Sequence, residues 1–513
     1  MLRLQNFPFT IFSDFAVKFA WKKLTAAGSA EVIINEAPGA NALTGNDLIW
    51  GSLRAKVETT EEVDVAGVRN LAPLDAGPGS DWLIGKLRVD AEDGAEVFAR
   101  GILSEDDDDD DTPLIEMGPG NDRVIGTVDA RAGDNAVLGV AGIDGDISTG
   151  DGRDSVIGTV NVRVGDNVKL SSDGIDDDIS TGDGRDTVVG TVNVRAGDNA
   201  DLFIEAIDDR VDTGAGNDRV VAIIDVRAGA NSPIIVQGLD STTSAGAGND
   251  KLIGTVKISA GDNAEILADA VNGGIDAGPG NDQLVGTAKV TAGDDSTVGA
   301  YGVDSRLVET GDGDDKVIGK VSVAGGAGSD LVASGISAFS TILTGDGNDW
   351  VEGSSSIEGS GLAVANGDGI GRTELFFPRT SIDTGAGDDT VIGKGADIAV
   401  DGTSDGIDAA DIDLGAGDDM VHARGASAGV RDVFIFGDEG DDTFDLHSGT
   451  GTVDGGDGDF DLLILSGDKD DFTFTAGPPE TGNIAGGVTD LDVANIEFFE
   501  FDDGTFTYAD LFA

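Results

Sequence analysis

The chain of 513 residues carries 97 Asp and Glu against 32 Lys and Arg, a formal charge of −65, with 80 Gly and no Cys. That charge makes nucleic acid and anionic membranes poor partners and cations good ones, and the missing Cys excludes disulfides and thiolate sites. A hydrophobic content of 39% argues against a disordered polyelectrolyte, and no stretch approaches the ~18 uninterrupted apolar residues of a membrane span.

In chain order, residues 1–43 come first and hold Phe7, Phe9, Phe12, Phe15, Phe19 and Trp21. Phe15, Val17, Phe19 and Trp21 alternate as in a strand, while Phe12, Phe15 and Phe19 also fit a helix. Asp14 and Lys18 interrupt the apolar run, so no classical signal peptide is expected. The segment reads as an N-terminal cap or as an assembly element.

A regular array follows over 44–350. Gly-x-Gly-x-Asp occurs twelve times, ending at Asp81, Asp122, Asp154, Asp186, Asp218, Asp250, Asp282, Asp315, Asp330, Asp349, Asp389 and Asp419, and the step from Asp122 to Asp282 is 32 residues five times running. Fixed spacing marks a stacked repeat, one coil per period. After each Asp comes a strand-like stretch such as RVIGTVDARAG, then a second turn such as AGDN (132–135), then a second apolar stretch. The expected fold is therefore all-β: a parallel β-solenoid of β-roll type, with coils of about 32 residues, two β-segments and two turns in each, and caps at both ends.

Alternation turns Val124, Val156, Val188, Val220, Leu252 and Leu284 inward as an aliphatic ladder. Ile125, Ile157, Val189, Val221, Ile253 and Val285 point the other way and form either an exposed apolar ridge or a face covered by another segment. A column of Thr127, Thr159, Thr191, Thr255 and Thr287 reads as a β-favouring surface. The coil before Asp122 contains an acidic run, EDDDDDD at 105–111, expected to be a solvated loop. Residues 351–380 interrupt the array with an apolar cluster, Leu375 to Pro378, which either packs on the solenoid or meets a partner. Degenerate repeats run over 381–461, and 462–513 reads as a C-terminal cap.

Stacking at ~4.8 Å would set the turn carboxylates in a ladder. Two such charges repel by roughly 1 kcal/mol in water and by more where water is excluded. A hard cation between successive turns relieves that repulsion. Calcium takes six to eight oxygens from carboxylates and carbonyls, whereas magnesium demands a tighter octahedron and keeps its waters. The expected ligands are the twelve Asp residues above. Gly120, Gly152, Gly184, Gly216, Gly248 and Gly280 belong to turns whose backbone is free to aim carbonyls inward.

These turns resemble the hemolysin-type calcium-binding repeats of RTX (repeats-in-toxin) proteins, whose nonapeptide is Gly-Gly-x-Gly-x-Asp followed by an alternating hydrophobe. The resemblance covers about 77–419, with a degenerate run to about 461. It implies multiple structural calcium ions on those twelve Asp residues and the glycine carbonyls. Family arrays repeat every nine residues with calcium turns on both edges. Here the coil is longer, and only one edge carries the full motif. The ending NIEFFEFDDGTFTYADLFA, with Asp510, Leu511, Phe512 and Ala513 last, is similar to the tail of type I secretion substrates. A plain hydrophobic cap fits the same residues.

The two His, His422 and His447, lie outside any HExxH motif, and no GxSxG or Walker-type loop is present. The expectation is a non-enzymatic, secreted, calcium-binding protein that self-associates at the cell surface or in an extracellular layer, matrix or filament. The alternative is a monomeric calcium-dependent adhesin or binding module. A polysaccharide-active solenoid enzyme, with a cleft near 362–379, ranks below both. Expected partners are calcium ions, further copies of the chain and, during export, the type I secretion machinery. Nucleic acid is not expected, nor is a membrane span.

Overall fold

A computed structural model describes residues 15–24, 28–35, 45–70, 74–104, 115–337, 340–371, 379–398, 400 and 402–512. The acidic run at 105–111, the cluster at 375–378, and Phe7, Phe9, Phe12 and Ala513 lie outside the described residues. The chain divides into two compact units, Met1–Ala268 and Asp269–Ala513, and each is built of parallel strands stacked in register as a β-solenoid.

One coil of the first unit shows the plan. Its long strand is Ser155–Arg163, its second strand Lys169–Asp176, and a third piece of two residues, Ile179–Ser180, leads into the next Gly-x-Gly-x-Asp turn. Each pairs with its equivalent in the following coil, Val156 with Val188, Asp173 with Glu205 and Ile179 with Val211. The coil therefore has three strands and three corners. The expected second segment breaks in two at Asp177, whose φ of 93° no regular strand accommodates.

Alternating Val, Ile and Leu drive this arrangement, because β-branched residues suit the pleated sheet and one face of every strand is buried. The inward ladder is as expected. Val124, Val156, Val188, Val220 and Leu252 are buried and in register in the first unit, and Leu284 is buried above Val317 in the second. Midway along the long strands the two sheets approach closely, and Gly158 and Gly190 stand at the contact, with Ala222 next in the same column. A Cβ on Gly158 would sit 1.9 Å from the carbonyl oxygen of Gly174. On the outer face, Ile125, Ile157, Val189, Ile253 and Val285 are half-buried and Val221 is buried, so this column is not an open ridge.

Residues from the motif-free start also join the stack. Phe15–Leu24 pairs in parallel with Leu48–Val57, and Gly28–Asn35 with Glu62–Asn70. In the second unit the long strands shorten after Trp350–Gly359, to Thr390–Lys394 and Met420–Arg424. Parallel stacking continues through Leu462–Leu465 onto Phe498–Phe501, and from Gly449–Asp454 onto Thr489–Ala494, and antiparallel pairs are added at this end: Thr473–Ala476 with Thr481–Gly486, Thr481–Gly486 with Thr489–Ala494, and Phe498–Phe501 with Gly504–Thr507. The short helix Tyr508–Phe512 buries Leu511 and Phe512, and Phe512 meets Phe474 and Phe499 edge-on at 5.7 Å each.

Candidate metal sites

The two glycines of each motif have different jobs. The first is left-handed, with φ of 78° at Gly150 and 76° at Gly182, which favours glycine. The second lies against the preceding coil. A Cβ on Gly152 would fall 1.4 Å from the carbonyl oxygen of Gly120, and one on Gly184 1.5 Å from that of Gly152. Successive turns thus stack with their carbonyls at close quarters, and the Asp that follows points inward.

Those Asp side chains form a continuous buried ladder within each unit. In the first, the amides of Asp47, Asp81, Asp122, Asp154, Asp186 and Asp218 donate to Oδ1 of Asp81, Asp122, Asp154, Asp186, Asp218 and Asp250 at 2.6–2.7 Å. In the second, the amides of Asp282, Asp315, Asp349 and Asp389 donate to Oδ1 of Asp315, Asp349, Asp389 and Asp419 at 2.7–2.8 Å. All these carboxylates are at most 4% exposed.

The second oxygen of each carboxylate is the unusual one. In two turns a threonine five residues upstream serves it: Thr149 Oγ1 donates to Asp154 Oδ2 at 2.9 Å, and Thr181 Oγ1 to Asp186 Oδ2 at 3.1 Å. Where that position is Ala76, Met117, Leu414 or Gly437, no donor among the described residues reaches Oδ2 of Asp81, Asp122, Asp419 or Asp442, although the atom is buried. A buried carboxylate oxygen without a donor or cation costs several kcal/mol in the charged form, so the group resists ionisation. Burial, and then the neighbouring Asp charges, overcome the amide hydrogen bond. They push Asp122, Asp389 and Asp419 up to about 7, and Asp81, Asp154, Asp186, Asp218, Asp250 and Asp315 up to about 6.

Eleven of the twelve expected Asp residues occupy this buried edge; Asp330 does not. It is exposed, begins the strand Asp330–Ser337 and pairs with Thr297 and Val364 on the other sheet. Its Gly-x-Gly-x-Asp stands half a coil after Asp315 and forms the second-edge turn, where the amide of Ala327 donates to Asp294 Oδ1 at 2.8 Å. Conversely, Asp47, Asp442 and Asp461 join the buried edge without the exact motif: the amide of Asp419 donates to Asp442 at 2.9 Å, and that of Asp442 to Asp461 at 2.8 Å. Their signal in the sequence is an Asp that opens the next apolar stretch after a Gly-rich turn, as in GDEGDD and GGDGDFD. Shortened coils hide its spacing.

The second edge is closed differently. Asn135, Asn167 and Asn199 adopt left-handed φ of 56–58°. Asp134 and Asp166 accept the amides of Asp166 and Asp198 at 2.9 Å, with their side chains in water. Beside this column runs a ladder of arginines, Arg131, Arg163, Arg195 and Arg227, paired in register. They line a groove of about 450 Å³ with the column Asp129, Asn161 and Asn193, whose amides hydrogen-bond along the stack at 3.1 Å. Among the described residues Arg131, Arg163 and Arg195 form no ion pair, and Arg227 lies 3.9 Å from Asp225.

The third corner is acidic as well. Asp144 pairs with Asp176, and Asp173 with Glu205, where the sequence reads GIDGD, GIDDD and AIDDR in successive coils. Sequence reasoning passed over this cluster because it placed no corner there.

No protein-family model, no curated protein and no solved structure matches the chain. The parallel β-solenoid is compatible with an RTX-type repeat fold. Chemically, the buried edge offers only oxygen ligands, carboxylate and carbonyl, which suit hard cations such as calcium and not soft ones.

Proposed function

We propose that this chain is a secreted, calcium-stabilised solenoid of RTX type with a structural role, assembling with copies of itself into an extracellular layer, matrix or filament. The observation that carries the calcium reading is the ladder of buried Asp side chains, each with one oxygen held by an amide and, at Asp81, Asp122, Asp419 and Asp442, a second oxygen that no donor among the described residues reaches. The ladder Asp residues and the neighbouring turn carbonyls would hold the ions, and calcium would supply the charge that the stacked carboxylates lack. Binding energy then becomes folding energy, so the acidic chain stays unfolded in low cytosolic calcium and folds outside. The C-terminal Asp510, Leu511 and Phe512 would serve the type I export route.

Assembly is supported by the arginine ladder, of which Arg131, Arg163 and Arg195 form no ion pair among the described residues and which runs beside the exposed Asp134, Asp166 and Asp198 at the same repeat. Such an edge is self-complementary. The groove along the arginines also favours a second reading, a monomeric adhesin that takes an acidic ligand. Sedimentation velocity in EGTA, in millimolar calcium and in magnesium decides. Assembly requires compact particles that grow with concentration in calcium alone. A compact monomer at every concentration leaves the adhesin, and equal compactness in EGTA overturns calcium-coupled folding.

A further inference from the structure

The second edge of the first unit carries a row of cations in an otherwise acidic chain. Arg131, Arg163, Arg195 and Arg227 each end a long strand, stand in register and are exposed. Coils repeat every ~4.8 Å, so four guanidinium groups follow one another at that step, and like charges so placed repel. Two residues back on the same face the column reads Asp129, Asn161, Asn193 and Asp225. The two middle arginines thus stand beside amides where the outer two stand beside carboxylates. Among the described residues Arg131, Arg163 and Arg195 make no ion pair, and Arg227 comes only to 3.9 Å from Asp225.

These two columns wall the groove of about 450 Å³, and its floor is the strand backbone at Ala130, Val162 and Val194, whose side chains are buried. The groove crosses the strands, from coil to coil. Asn161 Nδ2 donates to Asp129 Oδ1 and Asn193 Nδ2 to Asn161 Oδ1, each at 3.1 Å. Each amide nitrogen spends one hydrogen on the stack and keeps the other for a ligand. The middle coils therefore offer a forked cation with a neutral donor beside it, both repeated at the coil spacing.

We propose that this groove binds a linear acidic polysaccharide laid across the coils, with its carboxylate or sulfate groups on Arg163 and Arg195, Arg131 and Arg227 flanking them, and its hydroxyls on Asn161 and Asn193. Guanidinium forks pair bidentately with such oxyanions. A sugar residue in an extended chain is about as long as one coil is thick, so anions on every sugar or every second sugar meet the row in step. An extended acidic peptide does not, because its same-face side chains step by about 6.6 Å. Acids elsewhere on the chain are screened beyond about 8 Å at physiological salt, which leaves the row to act locally. The site deepens the adhesin reading of this groove and owes nothing to self-association.

The test is biolayer interferometry of the full-length protein in calcium, its fold checked by circular dichroism, on immobilised hyaluronan for carboxylate and chondroitin sulfate for sulfate, with dextran as the neutral control and polyglutamate as the acidic peptide. Wild type is expected to bind one or both acidic glycans, more weakly as salt rises, and to leave dextran alone. Arg163→Gln with Arg195→Gln should weaken binding by about tenfold or more with the circular dichroism unchanged. Arg219→Gln with Lys251→Gln removes the same charge from the exposed opposite end of these strands and should change binding by less than about twofold. No binding of either acidic glycan by folded wild type, an equal loss in both variants, or polyglutamate held as tightly as the glycans overturns the site. Sedimentation of the same samples keeps it apart from assembly. Glycan binding by a protein that stays monomeric supports the groove where self-association has failed, and self-association without glycan binding gives the arginines to the neighbouring copy and overturns the groove.

Discussion

The amide of Asp154 donates to Oδ1 of Asp186 at 2.7 Å, while Oδ1 of Asp154 itself accepts the amide of Asp122 at 2.6 Å. Each ladder Asp is thus a donor to one neighbouring coil and an acceptor from the other. The hydrogen bonds hold the coils in register and at the same time stack carboxylates that repel one another.

Acidity should reveal that conflict. The ladder Asp residues have folded values of about 6 to 7 against an ordinary 3.8. A raised value adds stability that is complete below the unfolded pKa and is lost as pH rises through the folded one. Metal-free protein should therefore be folded near pH 4, melt at progressively lower temperature as pH rises, and reach the unfolded state by about pH 7. In calcium the trend should reverse, because protons displace the ion. Thermal melts by circular dichroism across this range check both limbs, and a metal-free midpoint that is flat with pH would count against the buried ladder.

Asp186→Asn separates charge from hydrogen bonding. The amide oxygen can still accept from Asp154, but the charge is gone. The variant should be at least as stable as wild type without metal at about pH 5, where protonation lets the metal-free chain fold, and less stable than wild type in calcium at neutral pH, with weaker calcium binding by titration calorimetry. A parallel loss in both conditions would mean that the carboxylate serves packing alone.

Gly152→Ala should cost about 3 kcal/mol or more, because the new methyl meets the Gly120 carbonyl oxygen at 1.4 Å and backbone must shift. Thr159→Ala, on the half-buried outer face of the same coil, should change stability by less than about 1 kcal/mol. Denaturant melts in calcium compare the two.

Charge reversal tests the arginine edge. Arg163→Asp with Arg195→Asp should abolish assembly in calcium, and so should Asp166→Arg with Asp198→Arg. Mixing the two variants should restore it, since each then presents what the other lacks. Light scattering reads the outcome. Assembly unaffected by either pair would place the interface elsewhere.

Much of this architecture is legible in the sequence because a repeat reports its own register. The 32-residue period places Val124, Val156 and Val188 in one column, and the paired glycines mark the turns. The third corner is not legible, since a break at Asp177 depends on where the stacked second strand ends, and nothing local forces it. Asp330 carries the right letters at the wrong half of the coil, and Asp442 carries the right place with altered letters. Motif matching fails in both cases because the position in the coil decides which edge a residue reaches.

The all-β repeat, the inward aliphatic ladder, the acidic turns and the lack of thiolates follow from periodicity and residue type alone. Which oxygen of each Asp is held by an amide, which carboxylates meet at the third corner and which arginines go without an ion pair among the described residues are settled by the stacking of coils. Those are matters of contact between coils about thirty residues apart in the chain, and a stacked backbone must exist before any of them can form.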